Sequence, residues 1–172
     1  MQSLIIADMK NVDHIKMLVL DVDGTMTDGK INVLDNGRQF KQFSSKDGLG
    51  IKMLLKKGID VGIISHCIDP IAIEARAKML GIKHVYAGLD EKDEILASWL
   101  EEKDYGFDQV AFIGDDINDL PAMKKCSVSA CPADSSADVI SYVDVVLQSN
   151  GGDGCVREFI DKYIGISYQR LK

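Results

Sequence analysis

Four acids fall into two tight groups: Asp21 and Asp23 in LDVDGT, and Asp115 and Asp116 in FIGDDIND. Each group follows a short apolar run, KMLVL before the first and QVAFI before the second. Carboxylates gathered without partners repel one another and raise each other's pKa values. A cation relieves that repulsion, and an all-oxygen ligand set selects a hard one, with Mg2+ the natural candidate. A cation held in this way commonly serves phosphate chemistry, so phosphate-binding groups belong nearby. Ser65, ending the run DVGIIS, offers a hydroxyl, and Lys92, soon after HVYA, offers an ammonium. Taken singly, each residue has an ordinary explanation. Asp and Gly populate strand-to-helix turns, Ser65 can cap a turn, and Lys92 can be a solvated surface lysine. Acid, hydroxyl, lysine and acid at four successive strand ends argue against four coincidences.

The elements that must position these groups are legible as apolar runs alternating with helix-length amphipathic segments. The runs predict strands over 16–22, 60–65, 84–87, 109–114, 127–130 and 143–147, and the first is too continuously apolar for a half-exposed strand. Helices are expected from Ser44 or Ser45 to about Lys57, and over 70–80, 91–103, 118–125, 136–142 and 156–163. Asp69 is the expected cap of the second, with Pro70 in its first turn. Asp35-Asn36-Gly37, between 30–34 and 38–43, predicts a β-hairpin. This alternation implies an α/β fold with a mostly parallel sheet and right-handed crossovers. Ligands of such sheets bind beyond the carboxyl ends of the strands, where the four groups lie.

The chain of 172 residues suits a single domain spanning 1–172, with no linker or repeat. With 27 Asp and Glu against 20 Lys and Arg, and no basic block, binding to nucleic acid or an anionic membrane surface is disfavoured. No apolar run approaches the roughly 20 residues of a membrane span, and the first residues lack the features of a signal peptide. Cys67, Cys126, Cys131 and Cys155 form no C-x-x-C pair and read as free thiols, consistent with a cytoplasmic protein. His14, His66 and His84 show no zinc-ligand spacing. The first fifteen residues carry no cap or period that decides their structure.

DVDGTMTDG at 21–29, Ser65, Lys92 and GDDIND at 114–119 resemble the four ordered motifs of the haloacid dehalogenase superfamily. The resemblance runs from Lys16 onward and implies a Rossmann-like three-layer fold and phosphoryl transfer through an aspartyl phosphate. It implies Asp21 as nucleophile and Asp23 as the acid that protonates the leaving oxygen and then the base that activates water. It further implies Mg2+ held by the Asp21 and Asp115 carboxylates and the Asp23 carbonyl, with Asp116 acting through a water. Ser65 and Lys92 would bind the phosphoryl group, with Asp119 orienting Lys92 and Thr25 supporting the turn.

Phosphatases of this superfamily often carry a cap domain after the first or second motif. Here the segments 24–64 and 66–91 hold only a hairpin, two helices and a short strand, too little for a second core. SSKDGLGIKMLLKKGIDVGIIS and GGDGCVREF are similar to a narrower, capless family. Its members are phosphatases of 3-deoxy-D-manno-octulosonate 8-phosphate and related nonulosonate 9-phosphates. That similarity implies a homotetramer packed through its hairpins, with neighbouring subunits closing each site over a phosphorylated sugar acid. By the same analogy 31–43 is an assembly element, Lys46 and Asp47 lie near substrate, and Arg157 belongs to a closing tail. The pattern departs after Ser65, where the narrower family has Gly and then Arg or Glu and this chain has His66-Cys67. His66 and Arg76 are the candidate replacements, Arg76 because a guanidinium suits a sugar carboxylate. The departure leaves open a different nonulosonate phosphate or other small metabolite. A non-catalytic binding or oligomerisation module of the same fold is the remaining alternative.

Overall fold

The computed structural model describes residues 12–165. Six parallel strands form the central sheet: β1 (Met17–Leu20), β4 (Asp60–His66), β5 (His84–Gly88), β6 (Val110–Ile113), β7 (Val128–Cys131) and β8 (Val145–Val146). Their spatial order is β5-β4-β1-β6-β7-β8. The chain builds outward from β1 on one side, returns, and builds outward on the other, so the strand order reverses at β1. Crevices at such reversals are where open α/β sheets bind ligands.

The continuously apolar strands are explained by two cores rather than one. Leu18, Leu20, Ala111 and Ile113 pack under one face, against Ile51 and Leu54 of α1 (Ser45–Lys56), Ile73 of α2 (Ile71–Leu80) and Phe159 of α6 (Cys155–Phe159). Their neighbours Met17, Val19, Val110 and Phe112 pack under the other. There they meet Leu96 and Leu100 of α3 (Lys92–Lys103), Met123 of α4 (Leu120–Met123) and Val139 of α5 (Ala137–Tyr142). Alternate side chains thus serve opposite faces, and both must be apolar.

The expected helix over 118–125 is shorter, and a 3-10 turn, Ile117–Asp119, precedes α4. Asp119 bends that segment back by accepting from the Asp115 and Asp116 N–H groups at 3.0 and 3.3 Å. The last helix gives way to a wider turn over Ile160–Ile164. Strand β1 ends before the expected residue 22, yet the Asp21 N–H still donates to Ile113 O at 3.0 Å. Ser44 caps α1 through the Asp47 N–H, and Asp69 accepts from the Ile71 N–H at the start of α2.

The hairpin forms as expected but is short: β2 (Asn32–Val33) pairs antiparallel with β3 (Gln39–Phe40). Gly37, at φ +81°, makes the turn that Asn36-Gly37 predicts. No helix among the described residues is long and apolar enough to cross a membrane. The amino-terminal segment whose structure the sequence leaves undecided falls largely on residues 1–11, outside the described residues.

Candidate active site

Parallel register brings the carboxyl ends of β1, β4 and β6 level: Leu20 lies beside Ile63 on one side and Ile113 on the other. Asp21, Ser65 and Asp115 therefore leave the sheet at one edge. Lys92 opens α3 after β5 and reaches the same place. Its Nζ donates to Asp21 Oδ1 at 2.5 Å and to Asp119 Oδ1 at 2.7 Å. Lys92 is 1% exposed and Asp119 is fully buried. Burial acts to discharge the ammonium, but the two carboxylates outweigh it and hold its pKa above the ordinary lysine range.

Asp21, Asp115 and Asp119 each present a carboxylate oxygen within 4.8 Å of the others. Burial first, and then the Asp119 charge, push the Asp21 pKa up to about 7, against the pull of Lys92. Burial and the charges of Asp21 and Asp119 push Asp115 to about 8. Three carboxylates sharing one ammonium are short of positive charge, and an all-oxygen set of this kind suits a hard divalent cation. Asp119 is already engaged, since Oδ1 takes Lys92 and Oδ2 takes two backbone N–H groups. Asp21 Oδ2 is buried with no partner, and so is Ser65 Oγ. A buried polar atom left unpaired costs about 1–3 kcal/mol, so these two atoms mark where a cation and a phosphoryl oxygen fit.

Close approach is enforced by glycine. A Cβ on Gly24 would collide with the Asp115 carboxylate, and Gly24 sits at φ +96°. Gly151 lies against the Gly24 and Thr27 carbonyls, while the Gly152 N–H donates to Thr25 O at 3.0 Å. The glycine turn 151–154 thus packs beneath the loop that carries Asp23. Thr27, rather than the expected Thr25, holds that loop: its hydroxyl accepts from the Gly24 and Gly29 N–H groups and donates to Val22 O. Thr25 contributes through its carbonyl, which accepts from Gly152 N–H and Cys155 Sγ–H, while its hydroxyl is buried without a partner.

The other sequence candidates lie around this floor. Asp116 is exposed, and its Oδ1 accepts from the Ile117 N–H, so the three-acid cluster holds Asp119 where the sequence pointed to Asp116. His66 ends β4 and bonds through Nε2 to Asp90 O at 2.9 Å. Cys67 follows it, and burial raises its pKa, which keeps the thiol unreactive. Arg76 donates through Nη2 to Ser44 O and stacks over the Phe43 ring at 5.6 Å. Asp47 is buried; its Oδ1 accepts from the Arg157 N–H at 2.8 Å, which ties α1 to α6, and burial raises its pKa to about 6. The Arg157 side chain pairs with Asp161, and Lys46 is exposed beside Gly154. Sequence reasoning missed Lys41, whose Nζ donates to Asp23 Oδ1 at 2.5 Å. No local signal marks it, because its side chain is buried only when the hairpin folds back over the site.

Residues 71–160 match the haloacid dehalogenase-like hydrolase family. The chain belongs to that family. Within it, the chain is 39% identical over 152 residues to the 3-deoxy-D-manno-octulosonate 8-phosphate phosphatase KdsC of Haemophilus influenzae, covering 88% of this chain and 84% of that protein. The crystal structure of the Yersinia pestis 3-deoxy-D-manno-octulosonate 8-phosphate phosphatase superposes with a TM-score of 0.84 at 37% identity, over 87% of this chain and 80% of that one. The Moraxella catarrhalis phosphatase, in complex with magnesium, phosphate and the sugar acid, gives 0.83 at 32% identity, over 87% and 86% of the two chains.

Proposed function

We propose that this chain is a Mg2+-dependent phosphatase of 3-deoxy-D-manno-octulosonate 8-phosphate. One observation carries the reading: Asp21 Oδ2 and Ser65 Oγ are buried without partners at the same sheet edge as the Asp115 carboxylate and the Lys92 ammonium. Asp21 Oδ2, Asp115 and the Asp23 carbonyl would hold the cation, which supplies positive charge to the phosphoryl oxygens. Asp116, exposed beside them, would act on the cation only through a water.

Asp21 attacks phosphorus, the ester P–O bond breaks, and Asp23 gives its proton to the departing sugar oxygen. The Asp23 carboxylate then takes a proton from water, whose oxygen displaces the phosphoryl group from Asp21. Lys92 holds Asp21 through Oδ1 and fixes the carboxylate at the sheet edge. Ser65 and Lys92 share the charge that builds on the phosphoryl group.

The reading extends to a homotetramer. The hairpin exposes Ile31 (57%), Val33 (62%) and Phe40 (44%), a large apolar display for so small an element, and among the described residues no cap domain covers the site. Lys46, Asp47, Arg157, His66 and Arg76 are the proposed sugar-acid contacts. The four cysteines are unbonded, which suits a reducing, cytoplasmic setting. A different nonulosonate phosphate is the second reading, favoured by His66-Cys67 after Ser65. Phosphate release from octulosonate 8-phosphate, nonulosonate 9-phosphates and p-nitrophenyl phosphate, with Mg2+ and with EDTA, separates the two. In Asp21→Asn, release should fall by about 10⁴-fold or more with the fold intact. An active Asp21→Asn protein would refute the mechanism.

A further inference from the structure

We infer that Lys41 is a positioning residue for the proton-transferring carboxylate, Asp23, and that the hairpin reaches the chemistry through it. The inference rests on the phosphatase reading above. Lys41 directly follows β3, and its side chain is 3% exposed while its Nζ lies 2.5 Å from Asp23 Oδ1. Among the described residues this is the hydrogen bond found for the Asp23 carboxylate. Asp23 stands on a loop with φ −78° and ψ 108°, next to the left-handed Gly24, so its backbone alone does little to fix χ1. Taking an ammonium out of water is costly, and tying down a hairpin does not require one, since apolar side chains serve as well. A buried cation aimed at one carboxylate is instead suited to orienting it.

The tie is part of a longer connection. The hairpin is also fastened at Asp69, which accepts from the Gln39 N–H at 3.2 Å and pairs with Arg38 at 3.8 Å. Its return strand therefore bridges the loops that follow β1 and β4, the two loops that flank the phosphoryl position. Hairpin placement and Asp23 placement are set together. In the first chemical step the Asp23 proton passes to the ester oxygen as its bond to phosphorus breaks. A side chain that orients Asp23 therefore matters most where that oxygen is a poor leaving group.

The test compares kcat/KM for octulosonate 8-phosphate, whose leaving alkoxide needs a proton, with kcat/KM for p-nitrophenyl phosphate, whose leaving group does not. Lys41→Met should lower the first by about 30-fold or more and the second by less than about threefold, as for loss of general-acid help. Lys41→Arg, which keeps the cation, should restore most of the sugar-phosphate rate. Equal losses on both substrates would make Lys41 a folding contact. A raised KM with unchanged kcat on the sugar phosphate alone would make it a substrate contact. Either result overturns the inference. Should Lys41→Met fail to fold, Lys41→Gln supplies the same comparison. A wild-type protein that hydrolyses neither ester would count against the phosphatase reading itself, which separates the two failures.

Discussion

The floor of the site and its rim are built on opposite terms. On the floor, Asp21, Lys92 and Asp119 are almost wholly buried and bonded to one another, and glycine is required wherever backbone crowds a carboxylate. On the rim, His66 and Arg76 spend hydrogen bonds on nearby carbonyls, and the hairpin leaves Ile31, Val33 and Phe40 in water. The floor is built entirely within this chain. The rim has exposed apolar surface and charged side chains that pair with neighbours on the rim, as Arg157 does with Asp161. On the proposed function, phosphoryl chemistry would belong to the first region and choice of substrate to the second.

The contrast is broken most directly at Lys92. Lys92→Met leaves Asp21 and Asp119 buried without their cation. It should lower phosphate release by about 10³-fold, as for removal of a charge-stabilising donor. It should also cost about 3–5 kcal/mol in urea unfolding, as for one partner of a buried pair. A stable, active variant would mean the floor is not organised around this ammonium.

The next effect is electrostatic. Asp21 and Asp115 have folded pKa values raised to about 7 and about 8. Without metal, the folded state therefore holds protons that the unfolded chain gives up near pH 4. This stability is fully present below about pH 4 and is lost as pH rises through about 8. Mg2+ should therefore raise the melting temperature strongly at pH 8 and little at pH 5. An equal rise at both values would place the cation elsewhere.

At the rim, Ile31→Ser with Phe40→Ser should shift the native mass toward monomer. Release from the sugar-acid phosphate should then fall by about tenfold, as for loss of an apolar anchor, with p-nitrophenyl phosphate largely spared. Unchanged mass in light scattering would sink the hairpin interface. The smallest effect is expected at Asp47, between the two regions. Its folded pKa of about 6 is also raised, so its contribution is lost as pH rises from about 4 through 6. Asp47→Asn keeps an acceptor for the Arg157 N–H and should add about 1–2 kcal/mol at pH 8 with no gain at pH 4. Chemical denaturation at the two pH values measures it.

Much of the scaffold was legible in the chain. Runs such as MLVL and VAFI are apolar at every position because alternate side chains enter opposite cores, and Asn36-Gly37 marks the hairpin turn by its φ requirement. Boundaries were less legible around 118–125. There the side chain of Asp119 competes with helix formation by bonding backwards to two N–H groups, an interaction set by the turn rather than by periodicity.

Within the site, residue types at strand ends identified Asp21, Asp23, Ser65, Lys92 and Asp115, because chemistry at a sheet edge needs carboxylates, a hydroxyl and an ammonium in sequence order. Tertiary structure alone decided which charged side chains meet. Asp119 in place of Asp116 beside Asp21 and Asp115, Lys41 on Asp23, and Gly151 under the nucleophile loop join residues up to 127 positions apart, from Gly24 to Gly151. Such pairings depend on distances of a few ångströms between separate elements. Local propensity carries no record of them, and only the packed sheet brings them into being.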